Sequence, residues 1–281
     1  MDEIIIDLKI KDIKKPKPFL RWTGSKSWLV KNILEKYLPN DYNNYHEPFL
    51  GGAAVFFHLL PKKNVFLYDL NEDLINTYLQ LKDNIDEVIQ QLKKYHNSKE
   101  EYYQARKSGC SDDISKAAKF IYLNRTSFNG IYRVNNLGLY NVPYGKRKNV
   151  DIVTEENLRL VNKALQGTNI CCSDFSHTLL HVRERDLVYL DPPYTVAHEN
   201  NGFIEYNSKL FSWDDQKKLS ELIKEIDNRG AFFILSNAEH IEIRKLYAGV
   251  GKIESVSRYS KVGGRNKTRG IFNEIIITNV T

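Results

Sequence analysis

The chain is poor in cysteine and has no long apolar run. Its three cysteines, Cys110, Cys171 and Cys172, are odd in number and two are adjacent, which argues against a disulfide framework and predicts free thiols in a reducing cytoplasm. The amino-terminal stretch MDEIIIDLKIKDIKKPKPF carries a charge every few residues, so it offers neither the apolar centre of a signal peptide nor a membrane span. No repeat, low-complexity block or long linker interrupts the chain. A phosphate-binding P-loop is also missing: in WTGSKS, Ser25 separates Gly24 from Lys26, and Phe19 stands where the earlier glycine belongs. Metal ligation is not expected, because the adjacent Cys171 and Cys172, with His177 and His181, do not form the loop that tetrahedral zinc sites use. The remaining histidines, His46, His58, His96, His198 and His240, show no ligand spacing.

What is present is enough apolar residue for a large core: 281 residues, 42% of them hydrophobic. A net charge of +6 suits a nucleic-acid partner and is also within the range of ordinary enzymes. Strand patterns near 45–49, at NVFLYD (64–69), 186–191, AFFILSN (231–237) and NEIIITN (273–279) alternate with helical ones, including AAVFFHLL (53–60), NEDLINTYLQL (71–81) and 213–229. That rhythm predicts an α/β fold with a mostly parallel sheet covered on both faces. Residues 80–165 break it. They are mainly helical in pattern and contain NRTSFNGIYRVNNLGLYNVPYGKRK (124–148), dense in Asn, Gly, aromatic and basic residues, and read as an inserted domain between a catalytic part formed by 1–79 and 166–281.

In open α/β sheets ligands gather at the carboxyl ends of the strands. Gly51-Gly52 follow the first strand, Asp69 closes the second, 18 positions after Gly51, and Asp191 closes a later one. Glycines admit close backbone approach and an acid at that distance partners ribose hydroxyls, which implies a nucleoside-containing cofactor. The plainer alternatives are a tight turn before a packed helix and a helix cap. Trp22, Gly24 and Lys26 read as an aromatic wall, a hinge and a cation for a ligand with a flat ring and a carboxylate, or else as a surface turn.

The segment DLVYLDPPY (186–194) joins one carboxylate, two prolines and one ring. An amine conjugated to an aromatic ring is a poor nucleophile. Asp191 and the carbonyl of Pro192 can accept hydrogen bonds from its two N–H groups, favour a tetrahedral nitrogen and stabilise the positive charge that develops on it. Proline stiffness holds both acceptors in place, and Tyr194 can stack on a base extruded from a duplex. The alternative is a capped turn with Tyr194 in the core.

With these segments in view the chain resembles the Dam-type DNA adenine methyltransferases, over PFLRWTGSK (18–26), HEPFLGGAAVFF (46–57), YDLNEDLINTY (68–78), FIYLNRTSFNGIYRVNNLGLYNVPYG (120–145), DLVYLDPPY and NEIIITN. The order of cofactor segment, insert and DPPY is that of the alpha group of amino-methyltransferases. The resemblance implies a class I methyltransferase sheet, Rossmann-like with one antiparallel strand, S-adenosyl-L-methionine as cofactor, no metal, and double-stranded DNA as partner. By the same resemblance Trp22, Gly24, Lys26, Glu47, Phe49, Gly51, Asp69 and Asp191 contact the cofactor, and Asp174 and Phe175 hold its adenine. Asp191, Pro192 and Tyr194 match the catalytic segment. Within a hairpin near 128–145, Arg133 matches the reader of the guanine preceding the target adenine, Phe128 and Asn129 the intercalating tip, and Asn135 and Pro143 keep the pattern; Lys146 is assigned to phosphate. The chain spells TGSK and GGAAV where the family more often has GGK and GGGAV. The spelling is closest to members that modify GATC and is shared with relatives that read GATATC. A restriction endonuclease acting on the same site is a further expected partner. Competing readings are methylation of RNA or of a protein amide, and a silent DNA-binding module. The basic run Arg258, Lys261, Arg265, Lys267 and Arg269 reads either as a grip on the DNA backbone or as a solvated loop.

Overall fold

The structure is a computed structural model that describes residues 14–135, 137–195, 211–260 and 270–281. One seven-stranded sheet organises it, formed by β1 (Tyr45–Glu47), β2 (Val65–Asp69), β3 (Asn169–Cys172), β4 (Leu187–Leu190), β5 (Phe232–Ala238), β6 (Lys252–Ser260) and β7 (Gly270–Thr278). The strand order is β3-β2-β1-β4-β5-β7-β6, and β7 alone runs antiparallel to its neighbours β5 and β6. This is the class I methyltransferase architecture, mostly parallel with one antiparallel strand. The order reverses between β1 and β4, which pair in parallel with Tyr45 opposite Leu187, and a doubly wound sheet opens its ligand crevice at such a point.

The two-residue period of the strands divides the core. Leu187 and Tyr189 of β4, Ile234 of β5 and Ile276 of β7 face one apolar cluster. Val188, Leu190, Phe233, Leu235, Ile275 and Ile277 face the other. The second face is covered by the helix Trp213–Asn228, whose Leu219, Leu222, Ile223 and Ile226 are buried as the periodicity predicts. A capping box starts that helix: Asp215 N donates to Ser212 Oγ at 3.2 Å and Ser212 N donates to Asp215 Oδ2 at 2.9 Å. The first face is covered by the helices Ala54–Leu59 and Glu72–Asp83 and, beyond them, by Ile85–Leu92, Asp113–Thr126 and Glu155–Leu165 from the 80–165 segment. Residue 80 thus lies inside a helix that runs to Asp83, and residue 165 ends another. No helix among the described residues is long and apolar enough to cross a membrane.

Three strands depart from the sequence expectation. β1 stops at Glu47, before Pro48, which has no N–H to give to a ladder. β3 was not anticipated, because a partly exposed edge strand spelled NICC carries no run of strand formers. β6 was not anticipated either; it places Arg258 opposite Phe272 inside a nine-residue pairing with β7. Lys261, Arg265, Lys267 and Arg269 lie outside the described residues, as does His198.

Candidate active site

A cleft of ≈ 1770 Å³ opens at the carboxyl ends of β1, β2 and β4, with Glu274 of β7 also in its lining. Every residue assigned to the cofactor or to the catalytic segment lines it: Trp22, Gly24, Lys26, Glu47, Phe49, Gly51, Asp69, Asp174, Phe175, Asp191, Pro192 and Tyr194. Arg133 reaches its rim, while Phe128, Asn129, Asn135, Pro143 and Lys146 lie away from it on the hairpin.

At one end of the cleft, Asp69 Oδ2 accepts from Gly51 N at 2.9 Å and Oδ1 from Asn71 N at 3.0 Å. Burial raises this carboxyl above its usual range, while the backbone N–H groups pull it back. The cap of the following helix is Asn71, whose side chain accepts from Leu74 N at 3.0 Å, so Asp69 is not spent on capping. Gly51 has φ +46, and a Cβ there would stand 2.8 Å from Trp22 Nε1. The Trp22 ring in turn stacks on Tyr132 with centroids 5.7 Å apart at 22°, so one indole touches both the glycine turn and the residue before Arg133.

Glu47, buried under the floor, accepts from Tyr45 Oη at 2.7 Å and Phe56 N at 3.1 Å. Burial outweighs both bonds and lifts its pKa to about 8. On the far wall Phe175 stacks on Phe49 at 5.5 Å and 25°, with Phe211 edge-on to Phe49 at 5.6 Å. Asp174 Oδ1 accepts from Ser176 N at 2.7 Å and so starts the short 3₁₀ turn Phe175–His177. Cys171 and Cys172 sit on β3 beside this wall, with Cys172 Sγ 3.6 Å from the Leu70 carbonyl. Among the described residues no three His, Cys, Asp or Glu side chains gather as a metal site would need.

At the other end, Asp191 Oδ1 meets Lys26 Nζ at 2.7 Å and accepts from Ser236 Oγ at 2.8 Å. Burial raises the Asp191 carboxyl; Lys26 opposes that rise and Glu274 adds to it. Lys26 is itself buried, lies 3.7 Å from Glu274 Oε2 and sits 5.0 Å from the centroid of the Tyr194 ring. It was expected as a cation for a ligand carboxylate, and the structure engages it with Asp191. Tyr194 Oη donates to Glu274 Oε2 at 2.7 Å, and burial with two neighbouring carboxylates pushes the phenol pKa well up.

Sequence reasoning missed Ser236 and Glu274. The strand-end rule that singled out Asp69 and Asp191 would have found Ser236 in AFFILSN. Glu274 is a lone acid beside an apolar run, and it reaches the cleft because β7 is antiparallel, which sets it opposite Ala238, the last residue of β5.

The hairpin is held by paired bridges, Ser127 to Tyr144 and Val134 to Tyr140. Asn141 braces one edge of the exposed Arg133, whose Nε donates to Asn141 Oδ1 at 2.7 Å. Asn135 Oδ1 accepts from Leu137 N and Leu139 N, both at 3.0 Å, and so closes the tip. Phe128 is 51% exposed, which leaves its ring without a core to fill. Asn129 has φ +55, Phe128 N donates to the Pro143 carbonyl at 2.9 Å, and Lys146 is exposed.

Residues 22–262 match the family model described as D12 class N6 adenine-specific DNA methyltransferase. The chain belongs to this family. Similar proteins include the Type II methyltransferase M1.LlaDCHI of Lactococcus lactis, 38% identical over 94% of this chain and 95% of its own length. The Type II methyltransferase M.MjaIII of Methanocaldococcus jannaschii is 37% identical over 94% and 99%. A DNA adenine methylase of Vibrio cholerae is 34% identical over 91% and 94%. The protein is therefore a Dam-type enzyme, an adenine-specific DNA methyltransferase acting at N6.

Proposed function

We propose that this adenine methyltransferase takes its methyl group from S-adenosyl-L-methionine and transfers it to an adenine rotated out of duplex DNA, within GATC. The observation that carries the reading is the presence of two differently prepared carboxylates in one cleft: Asp69, bonded to the Gly51 turn, and Asp191, bonded to Lys26 and Ser236.

The donor set fits that cofactor. Each Asp69 oxygen takes one backbone N–H, which leaves lone pairs for two ribose hydroxyls. Phe49 and Phe175 offer a flat apolar wall for an adenine, with Asp174 beside it. Glu47, with a pKa of about 8, gives up its proton when a cation such as an ammonium or sulfonium stands near. Trp22 and Gly24 close the opposite side. When bound, S-adenosylmethionine supplies an electrophilic methyl group.

The chain's own residues prepare the acceptor amine. Lys26 and Ser236 both engage Asp191 Oδ1, and Oδ2 is left to accept from the adenine amine while the Pro192 carbonyl accepts its second N–H. Together they favour a tetrahedral nitrogen and stabilise the charge that builds on it. Tyr194 provides the face on which the extruded base stacks, and the prolines spare the segment any ordering at the moment of reaction.

Residues 80–165 serve target recognition in this reading, and 1–79 with 166–281 serve catalysis. Arg133, braced on one edge by Asn141, has its other edge for guanine O6 and N7. Phe128 and Asn129 fill the gap that an extruded base leaves, Lys146 meets phosphate, and Asn135 and Pro143 shape the hairpin that carries them. A restriction endonuclease of the same site specificity is the proposed partner, a role open to test by protection of methylated DNA from cleavage. The deciding experiment is transfer of labelled methyl from S-adenosylmethionine to methyl-free duplex DNA, with mapping of modified adenines. Modification confined to GATC is expected, and Asp191→Ala is expected to bind DNA without transfer. Modification at another sequence would overturn the GATC assignment, and full activity in Asp191→Ala would overturn the mechanism.

A further inference from the structure

The methyl-transfer reading leaves one buried charge unused. Glu274 is 1% exposed on β7, opposite Ala238 of β5, and an ionised carboxylate so placed is costly unless it is paired. Its Oε2 accepts from Tyr194 Oη at 2.7 Å and lies 3.7 Å from Lys26 Nζ, while the same Nζ lies 2.7 Å from Asp191 Oδ1. Asp191 and Tyr194 are the two ends of one four-residue segment. Glu274 therefore anchors one end through a hydrogen bond and reaches the other through a shared cation.

Charge counting shows what this arrangement does. Asp191 and Lys26 alone form a neutral pair, whose field at a neighbouring atom is that of a dipole. With Glu274 and Asp191 both ionised, the three groups carry one net negative charge, beside the position at which an amine nitrogen would go from neutral to positive during transfer. The second carboxylate also draws on Lys26, so that less of its charge is spent on Asp191 and the free oxygen of Asp191 stays a strong acceptor.

We infer that Glu274 is a positioning residue of methyl transfer: it turns the neutral Asp191–Lys26 pair into a cluster of net negative charge and holds the plane of the Tyr194 ring. This rests on the reading of Asp191 as the acceptor for the target amine.

Two substitutions separate the charge from the hydrogen bond. Glu274→Gln keeps length and an acceptor for Tyr194 but removes the charge. Glu274→Asp keeps the charge and shortens the side chain. Wild type, both variants and Asp191→Ala are compared in the labelled-methyl assay, with kcat and KM for DNA determined separately and with 2-aminopurine at the target adenine to report extrusion. Glu274→Gln is expected to lose about ten- to a hundredfold in kcat, below the loss for a direct oxyanion donor because it acts one group removed, with KM and the 2-aminopurine signal within about threefold of wild type. Glu274→Asp is expected to retain more kcat than Glu274→Gln. An order in which Glu274→Gln equals or exceeds Glu274→Asp would assign Glu274 to packing alone and overturn the inference. If Asp191→Ala keeps full activity, or wild type transfers nothing to DNA, it is the underlying reading that fails. Circular dichroism melting of each variant identifies any that does not fold; where one fails, kcat of Glu274→Gln within about threefold of wild type, or a loss of more than about a hundredfold in Glu274→Asp, overturns the inference.

Discussion

Gly51→Ala tests whether the glycine turn after β1 is built around Trp22. The glycine sits at φ +46, and an added Cβ would lie 2.8 Å from Trp22 Nε1 and 2.9 Å from Cδ1. Trp22 cannot simply swing away, because its ring is backed by Tyr132 at 5.7 Å and by Phe120 at 6.4 Å. The left-handed backbone costs a non-glycine residue about 1–2 kcal/mol, and forcing a methyl into packed space costs about 1–3 kcal/mol more. The expected destabilisation is therefore about 2–5 kcal/mol. In a chain of this size that lowers the melting temperature by at least roughly 4 °C. Gly167→Ala is the control: φ is +73 but nothing lies within 4 Å of its Cβ, so only the backbone cost of about 1–2 kcal/mol applies. Urea denaturation followed by circular dichroism measures both. The steric part is isolated by a double-mutant cycle with Trp22→Ala, in which Gly51→Ala should cost no more than Gly167→Ala does. Equal destabilisation of the two glycine variants in the native background would refute the argument, because it would mean that Trp22 yields freely.

Glu47 makes stability depend on pH. Its folded pKa of about 8 stands above the ordinary value of 4.5, so between these limits the folded state holds a proton that the unfolded state has lost, and stability falls as pH rises through that window and levels off above it. Glu47→Gln, which keeps acceptors for Tyr45 and Phe56, should lack that decline; parallel urea melts across the window check it, and identical pH dependence in the two proteins would be inconsistent with a protonated Glu47. Arg133→Ala should lower discrimination at the guanine before the target adenine by a factor of roughly 5–150, equivalent to about 1–3 kcal/mol, with little effect on substrates altered elsewhere. Methylation rates on duplexes varied one base at a time measure this, and an unchanged preference at that base would assign the guanine to another residue.

Ionisable groups, three of them (Lys26, Glu47 and Glu274) fully buried and Asp69 and Asp191 partly so, set the character of this cleft. Asp69, Glu47 and Asp191 stand at or just after strand ends, Lys26 lies in the loop that packs on them, and Glu274 sits within β7; the carboxyls are compensated by different partners: backbone N–H groups for Asp69, Tyr45 and Phe56 for Glu47, Lys26 and Ser236 for Asp191, Tyr194 for Glu274. Identical carboxyl chemistry is thus held in three different ways: by backbone amides at Asp69, by a phenol and a backbone amide at Glu47, and by a buried ammonium and a hydroxyl at Asp191.

The local sequence determined much of this. The run LVYL lies within a strand pattern and is buried throughout as β4, the pattern over 213–229 is a helix, and the glycine, acid and DPPY segments each announced a strand end. These signals were legible because each rests on neighbours within a few residues. Tertiary structure alone decided that β7 enters antiparallel, which carries Glu274 to the cleft; that Lys26 answers Asp191 from 165 positions away; and that Tyr132 lies against Trp22. Strand direction and the pairing of buried charges depend on which surfaces meet, and no window of sequence contains both sides of such a contact.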